Sequence, residues 1–176
     1  SSEVRENAAE DNKQCVKIVS TPVKVGTLVV ASANGTITTG RLKAGNMNAS
    51  SKDNCSFLDF SSTDVDANGD PFYAVLNNKP DAMKVWVKFK AGDGNKNPKA
   101  TISALLTNGK MAQDPEDEQY AANIIARAQN SSIESKDEWQ EITIPFTYNN
   151  AEEMPKAALV TMSTCAVPSG GSKSET

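Results

Sequence analysis

The sequence predicts an all-β sandwich, because short apolar runs recur along the chain with turn-forming residues between them. Gly, Asn, Asp, Pro and Ser are concentrated in the intervening stretches. A chain of 176 residues has the usual length of one domain and can bury about two-thirds of its unfolded surface in one core. We therefore expect a flexible N-terminal segment over 1–14, one β-sandwich domain over 15–167 and a loose C-terminal tail over 168–176.

The strand predictions rest on alternation of apolar and polar side chains. After Pro80, every second residue from Met83 to Phe89 is apolar, and Lys84, Trp86 and Lys88 lie between them. Apolar residues at 142, 144 and 146 alternate with polar neighbours in the same way. A period of two is typical of a half-buried strand. Strands are predicted over 15–20, 27–31, 36–42, 56–60, 83–90, 100–106, 139–148 and 158–164.

Asn34 and Gly35 lie between two of the predicted strands. This dipeptide suits a two-residue hairpin turn, because both residues tolerate a positive φ. We therefore expect the strands over 27–31 and 36–42 to form a hairpin around it.

The segment 114–130 has two interpretations. Asp114-Pro115-Glu116 is typical of a helix start, and good helix formers follow over 120–128. A long helix would interrupt an otherwise regular succession of strands. We therefore expect a short helical turn or loop, followed by a strand over 123–128.

The charge and hydropathy of the chain limit its partners. The formal net charge is -4 and the sequence pI is about 4.9, so the surface repels nucleic-acid phosphates and anionic lipids on average. No apolar stretch approaches the ~20 residues that span a bilayer, and the segment 1–14 lacks the apolar core of a signal peptide. We expect no nucleic-acid partner, and membrane association only through an anchor outside this chain.

The chain contains no histidine. Histidine is the usual general base near neutral pH and the commonest metal ligand, so its absence excludes Ser–His and Cys–His catalysis and His-ligated zinc within this chain. Cys15, Cys55 and Cys165 have no paired spacing for a thiolate metal site, and three cysteines form at most one disulfide. The favoured interpretation is that they are small buried side chains on strands.

One segment resembles the first half of a calcium loop. Asp64, Asp66, Asn68 and Asp70 place oxygen donors at every second position, and Gly69 permits a sharp turn. A complete helix-loop-helix calcium loop has a bidentate glutamate at its twelfth position, which is Val75 here. A structural calcium ion on these four residues is one interpretation, and a solvated turn is the other.

Catalysis by a pair of carboxylates is not excluded by the absence of histidine, since glycoside hydrolysis needs only two carboxyl groups. Asp59 is the most notable single carboxylate, because it lies inside an apolar predicted strand, where loss of water would raise its pKa. The alternative, a carboxylate that faces solvent or is hydrogen-bonded to a neighbouring loop, is favoured. No second carboxylate is marked as its partner.

Aromatic side chains are candidates for sugar binding, because the apolar face of a pyranose stacks on a flat ring. We select Trp86, Tyr73 and Tyr120 as candidate ligand-binding residues. Trp86 alternates with lysines and is therefore either exposed or covers a second apolar layer. Trp139 begins a strand and is expected to close the edge of the core. For each aromatic residue, a packing role is the alternative.

Four segments occur in the order found in a known family: Ile37-Thr-Thr-Gly40, then 78–90, then 139–148, and Met162-Ser-Thr164 ahead of Gly170-Gly171-Ser172. Together they resemble the putative carbohydrate metabolism domain of exported or lipid-anchored surface proteins of gut Gram-negative anaerobes. The resemblance extends from about 15 to 172. The family usually continues into a closing strand beyond the Gly-Ser turn, and an opening segment is missing before Cys15, so one sheet edge is expected to be unpaired or completed by a partner.

The resemblance implies a galactose-binding-like jelly roll at the extracellular or outer-membrane surface, with the periplasm as an alternative. It carries no catalytic motif. We therefore expect a non-catalytic module that binds carbohydrate or supports glycan use. One alternative is a structural or interaction domain that docks a surface-protein partner. The other, which is least favoured, is a carboxylate-dependent glycoside hydrolase.

Overall fold

The computed structural model describes residues 2–4, 14–61, 63–171 and 175–176, and within them the fold is all-β. A six-residue 3-10 helix, Glu118–Asn123, is the one helical element among these residues. The strands are β1 (Ser2–Val4), β2 (Gln14–Val16), β3 (Thr21–Val25), β4 (Leu28–Ala33), β5 (Thr36–Thr38), β6 (Arg41–Ala44), β7 (Asn54–Leu58), β8 (Ala74–Val75), β9 (Ala82–Val87), β10 (Lys99–Thr107), β11 (Ala112–Asp114), β12 (Ile124–Glu134), β13 (Gln140–Pro145), β14 (Thr147–Tyr148) and β15 (Ala157–Ser163).

The largest sheet, called the central sheet below, is antiparallel and has the order β14-β12-β10-β15-β5, with β8 paired to the start of β15. β10 lies at its middle and pairs with β12 on one side and β15 on the other. Its residues from Ile102 to Thr107 are all buried. A strand buried on both faces has a nearly continuous apolar sequence rather than a simple alternation, and β10 fits that description.

The two faces of the central sheet form two separate apolar clusters. On one face, Ile102 and Ala104 pack with Ala128 and with β9 and β13, which pair with each other as a two-stranded ribbon. On the opposite face, Leu105 and Leu159 pack with the three-stranded sheet β11-β7-β6. The central sheet is therefore covered on both sides, and the ribbon is the narrower of the two covers.

Several strand predictions are confirmed. β9 places Met83, Val85 and Val87 against the core cluster, as the alternation predicted. The segment 114–130 also folds as expected, because the 3-10 helix is followed at once by β12. Asp117 caps that helix, and its Oδ1 accepts a hydrogen bond from the Gln119 N–H at 3.0 Å.

The predicted hairpin at Asn34-Gly35 is wrong. The turn instead lies at Gly26, whose φ of +62° suits it to the tight connection between β3 and β4. Gly35 allows its backbone to lie close to that of Val19, since a Cβ at Gly35 would be 2.8 Å from the Val19 backbone. Asn34 Nδ2 donates to the carbonyl oxygen of Val167 at 2.9 Å. The dipeptide therefore joins distant segments rather than adjacent strands.

The last two residues of the segment predicted as a loose tail are attached to the domain. Thr176 and Lys90 exchange two backbone hydrogen bonds, of 2.6 and 3.0 Å. Glu175 is fully buried, and one of its carboxylate oxygens accepts a hydrogen bond from Ser20 Oγ at 2.9 Å. The attachment of residues 175 and 176 brings Thr176 beside the end of β9.

The packing predicts a sharp contrast between two glycine substitutions. A Cβ on Gly40 would overlap the carbonyl oxygen of Phe57 and lie 2.7 Å from Leu159 Cδ1. We expect Gly40→Ala to lower the free energy of unfolding by about 3 kcal/mol, because the obstacles are a strand backbone and a core side chain. Gly94→Ala is the control, since it meets open space at a φ of +69° and is expected to cost about 1 kcal/mol. Urea unfolding of both variants measures the difference, and equal losses would contradict the packing.

Candidate ligand-binding cleft

A cleft of about 520 Å³ opens beside β9, above the part of the central sheet formed by β15 and β5. Ile37, Val160 and Met162 form its apolar floor, and Ala100 and Ile102 of β10 extend that floor. The end of β9 and the two residues after it, 86–89, form one wall, and Cys15, Val16 and Ile18 also line the cleft. The cleft exists because the two-stranded ribbon covers less of the central sheet than the sheet offers.

Hydroxyl groups supply most of the polar lining of the cleft, and they are held in place. Thr39 Oγ1 accepts a hydrogen bond from the Val160 N–H at 2.9 Å. Thr101 Oγ1 lies 3.0 Å from Ser131 Oγ, and Thr164 Oγ1 lies 2.7 Å from Ser20 Oγ. A hydroxyl can donate one hydrogen bond and accept two. Thr39 Oγ1 also donates to the Ala158 carbonyl oxygen at 3.4 Å, and the buried Thr164 Oγ1 also accepts from the Gly35 N–H at 3.0 Å, so each of these two groups keeps at most one acceptor position. The cleft therefore combines an apolar floor with fixed hydroxyls.

Both tryptophans of the chain line this cleft. In the ribbon, Trp86 is directly opposite Glu141, and Trp139 is two residues before Glu141. Trp139 precedes β13, whose first residue pairs with the last residue of β9, so it lies at the same end of the ribbon as Trp86. Because side chains alternate across a strand, the Trp86 indole is on the face of β9 opposite Val85 and Val87. Trp86 is 44% exposed, and Trp139 is half-buried. Trp139 therefore lines the cleft, whereas the sequence predicted only that it begins a strand and closes the edge of the core.

The other two predicted ligand-binding aromatics lie elsewhere. Tyr73 packs against Phe60 with ring centroids 4.5 Å apart, on the opposite face of the central sheet. Tyr120 is half-buried in the 3-10 helix and is not among the cleft residues. The fold therefore brings Trp86 together with Trp139 and separates it from Tyr73 and Tyr120. No sequence pattern links Trp86 to Trp139, because the link is the β9–β13 register.

The predicted calcium loop uses its oxygens within the protein. Asp66 Oδ1 accepts hydrogen bonds from the N–H groups of Asn68 at 2.8 Å and Asp70 at 3.0 Å, and these donors lower the pKa of Asp66. Arg41 Nε donates to Asp64 Oδ1 at 2.9 Å, and its guanidinium carbon lies 3.8 Å from the centroid of the Phe72 ring. A cation shared by these carboxylates would compete with Arg41 for Asp64.

The described residues contain no group of three or more His, Cys, Asp or Glu side chains arranged to hold a metal ion. In this conformation Asp64 and Asp66 bind groups of the protein, and a calcium ion on Asp64, Asp66, Asn68 and Asp70 stays a prediction. Asp66 and Gly69, whose φ is +87°, close this segment as a turn.

The carboxylates do not converge on the cleft. Asp59 Oδ1 accepts a hydrogen bond from the Ser61 N–H at 2.8 Å, as expected for a side chain that closes a loop. Among the described residues that line the cleft, none is Asp or Glu. The carboxylate that sequence reasoning missed is Asp114, which lies between the central sheet and the three-stranded sheet, where Ser103 Oγ donates to it. Burial raises the pKa of Asp114.

The thiols of Cys55 and Cys165 are buried, as expected for small side chains on or beside strands. Burial raises the pKa of both thiols, which favours their neutral form. Within the described residues, no helix has the length and apolar character needed to cross a membrane.

This fold is similar to those of two solved bacterial proteins. A putative glycoside hydrolase from Bacteroides vulgatus matches with a TM-score of 0.63 and 15% identity, over 99% of this chain and 72% of that one. A putative glycoside hydrolase from Bacteroides thetaiotaomicron matches with a TM-score of 0.55 and 13% identity, over 82% of this chain and 44% of that one. This chain thus spans less than half of the second protein. At such identities the likeness shows the fold alone.

No family model matches the sequence, and no curated protein matches it either.

The buried carboxylate predicts an unusual pH dependence of stability. Because burial raises the folded-state pKa of Asp114, the folded state holds this proton more tightly than the unfolded state does. The free energy of unfolding therefore decreases as the pH rises from the pKa of Asp114 in the unfolded chain to its higher pKa in the folded protein. Above the folded-state pKa no further decrease occurs. We expect Asp114→Asn to raise the free energy of unfolding near neutral pH by on the order of 1 kcal/mol and to change it little at acidic pH.

Urea unfolding across this pH range measures the effect, with Asp93→Asn, in an exposed turn, as the control that should change stability at neither pH. A loss of stability in Asp114→Asn that is greatest at neutral pH would contradict this account, because it would mean that the ionised carboxylate is the favoured partner of the nearby hydroxyls.

The calcium loop gives a second prediction. Since Asp64 binds Arg41 and Asp66 accepts two backbone N–H groups, we expect millimolar calcium to leave the unfolding temperature unchanged. Magnesium at the same concentration is the control for ionic strength. A rise seen only with calcium, and lost in Asp66→Asn, would show that the loop rearranges to bind the cation.

Proposed function

We propose that this chain is a non-catalytic carbohydrate-binding module of a cell-surface or secreted protein, and that it binds glycan in the cleft beside β9. The observation that carries the proposal is the cleft itself, whose lining combines Trp86 and Trp139 with an apolar floor and hydroxyl groups. Sugar rings have an apolar face that stacks on indole and hydroxyls that pair with protein hydroxyls. The cleft offers both kinds of contact.

Three further points support the proposal. The sequence resembles the carbohydrate metabolism domain family along most of its length, and that family implies glycan use. The two structural neighbours carry the name glycoside hydrolase, at 13% and 15% identity. A jelly-roll sandwich of the galactose-binding-like kind, which the proposal includes, is compatible with the open antiparallel sheets. The proposal places the module at the extracellular or outer-membrane surface.

A second candidate function is docking of a surface-protein partner through the β3–β4 hairpin. Near its turn, Val25 and Leu28 are each 69% exposed, and Val29 is 56% exposed. Contiguous exposed apolar side chains of this kind often mark interaction sites. Copurification of a neighbouring surface protein would favour this function. It ranks second, because the hairpin shows no feature that identifies the partner.

Catalysis by paired carboxylates ranks third. Asp59 caps a loop, and the described lining of the cleft contains no Asp or Glu side chain to act as acid or nucleophile.

Trp86 provides the direct test of glycan binding in the cleft. We expect the folded protein to bind members of an array of plant and host polysaccharides, and Trp86→Ala to weaken that binding about fivefold, since a stacked aromatic contact contributes about 1 kcal/mol. Phe72→Ala is a matched control, because Phe72 has the same exposure of 44% and lies outside the cleft. Affinity gels or isothermal titration give the ratio.

Two results would count against the proposal. Absence of binding to every polysaccharide by folded protein contradicts the function itself. Equal binding by wild type and Trp86→Ala, with loss in Phe72→Ala, moves the site away from the cleft.

A further inference from the structure

The described lining of the cleft carries a positive side chain and no negative one. Among the described residues that line it, the one side chain with a formal charge is Lys88, which is exposed. The remaining polar side chains at the cleft carry hydroxyl, thiol or indole groups. A ligand in this cleft therefore meets a positive charge at one wall and no carboxylate side chain among the residues described.

Lys88 also differs from the other lysines on its face of the ribbon. Lys84 Nζ lies 3.1 Å from Glu141 Oε1, and Lys90 Nζ lies 3.6 Å from Asp137 Oδ1. Among the described residues, Lys88 has no such ion pair. Lys88 follows the end of β9, and exposed and less exposed residues still alternate from Trp86 to Lys90, so its side chain leaves the chain on the same side as the indole. A stacking surface and a cation with no paired carboxylate in the described structure are thus adjacent.

We propose that the cleft selects acidic sugars, with Lys88 binding a carboxylate or sulfate group while a sugar ring stacks on Trp86. This inference rests on the proposed glycan-binding function and adds the class of ligand. A hydrogen bond between an ammonium and an anion is roughly twice as strong as one between neutral groups. Neutral sugars would use the hydroxyls and the indole alone, so they bind more weakly.

The net charge of -4 does not oppose this selection. At physiological ionic strength, exposed charges separated by more than about 8 Å are largely screened. The charges near the bound anion therefore dominate, and on the described lining the nearest charged side chain is a lysine. Because the pair is at the surface, added salt should weaken the binding of acidic sugars more than that of neutral ones.

Matched polysaccharides test the inference. Polygalacturonate carries carboxylates, and its carboxyl-reduced form keeps the same linkages without them. Dextran sulfate and dextran form the corresponding sulfate pair. We expect at least one acidic polymer to bind about tenfold more tightly than its neutral counterpart, the ratio that 1.4 kcal/mol gives. The pair that shows the difference tells whether carboxylate or sulfate is recognised.

Lysine substitutions assign the effect to the cleft. We expect Lys88→Gln to remove the preference for the acidic polymer and to leave binding of the neutral one unchanged. Lys84→Gln, the control on the same face but outside the cleft lining, should keep the preference. Urea unfolding of both variants checks that they remain folded.

The possible outcomes separate the two proposals. Equal affinity for acidic and neutral polymers, or an unchanged preference in Lys88→Gln, overturns the selection of acidic sugars and leaves glycan binding in place. Absence of binding to these polymers and to every member of the polysaccharide array overturns glycan binding, and the inference about Lys88 with it.

Discussion

Burial of the central sheet on both faces is the constraint on which the rest of this structure depends. β10 supplies Ile102 and Ala104 to one apolar cluster and Leu105 to the other. Removing apolar surface from water is the dominant favourable term in folding, and a strand buried on both faces contributes to two cores at once. The ribbon and the three-stranded sheet are each held by packing against this strand and its neighbours β12 and β15.

The cleft follows from that constraint. The ribbon has two strands, whereas the central sheet has five in its main path, so part of the apolar face above β15 and β5 is left for the cleft. Cys15, Val16 and Ile18 also line the cleft, and Thr176 is attached by its pairing with Lys90. The register that pairs β9 with β13 then places Trp139, which precedes β13, at the same end of the ribbon as Lys88, which follows β9. The part of the sheet that the narrower ribbon leaves uncovered is therefore a concave surface, and Trp86, Trp139 and Lys88 are among the residues that line it.

Local pattern was sufficient for the strands whose side chains alternate and insufficient for contacts between distant segments. β9 and β13 were predictable because their period of two reflects one buried face. The hairpin at Asn34-Gly35 was predicted wrongly because that dipeptide also permits close backbone approach, and Gly26 satisfied the nearby turn. The presence of Trp86 and Trp139 in one cleft depends on a register between segments more than fifty residues apart. The burial of Asp114 likewise depends on two sheets that meet only in the folded protein.

The most direct measurement of the central claim, that glycan binds in the cleft, uses the two tryptophans of the chain as reporters. In a proton–nitrogen correlation spectrum of labelled protein, each indole N–H gives its own signal, assigned by Trp86→Phe and Trp139→Phe. During titration with oligosaccharides of a bound polysaccharide, the account predicts that both indole signals and the amide of Thr39, a residue of the cleft wall, shift together to saturation. Saturable shifts confined to the surroundings of Tyr73 or Tyr120, with both indole signals unmoved, would contradict it.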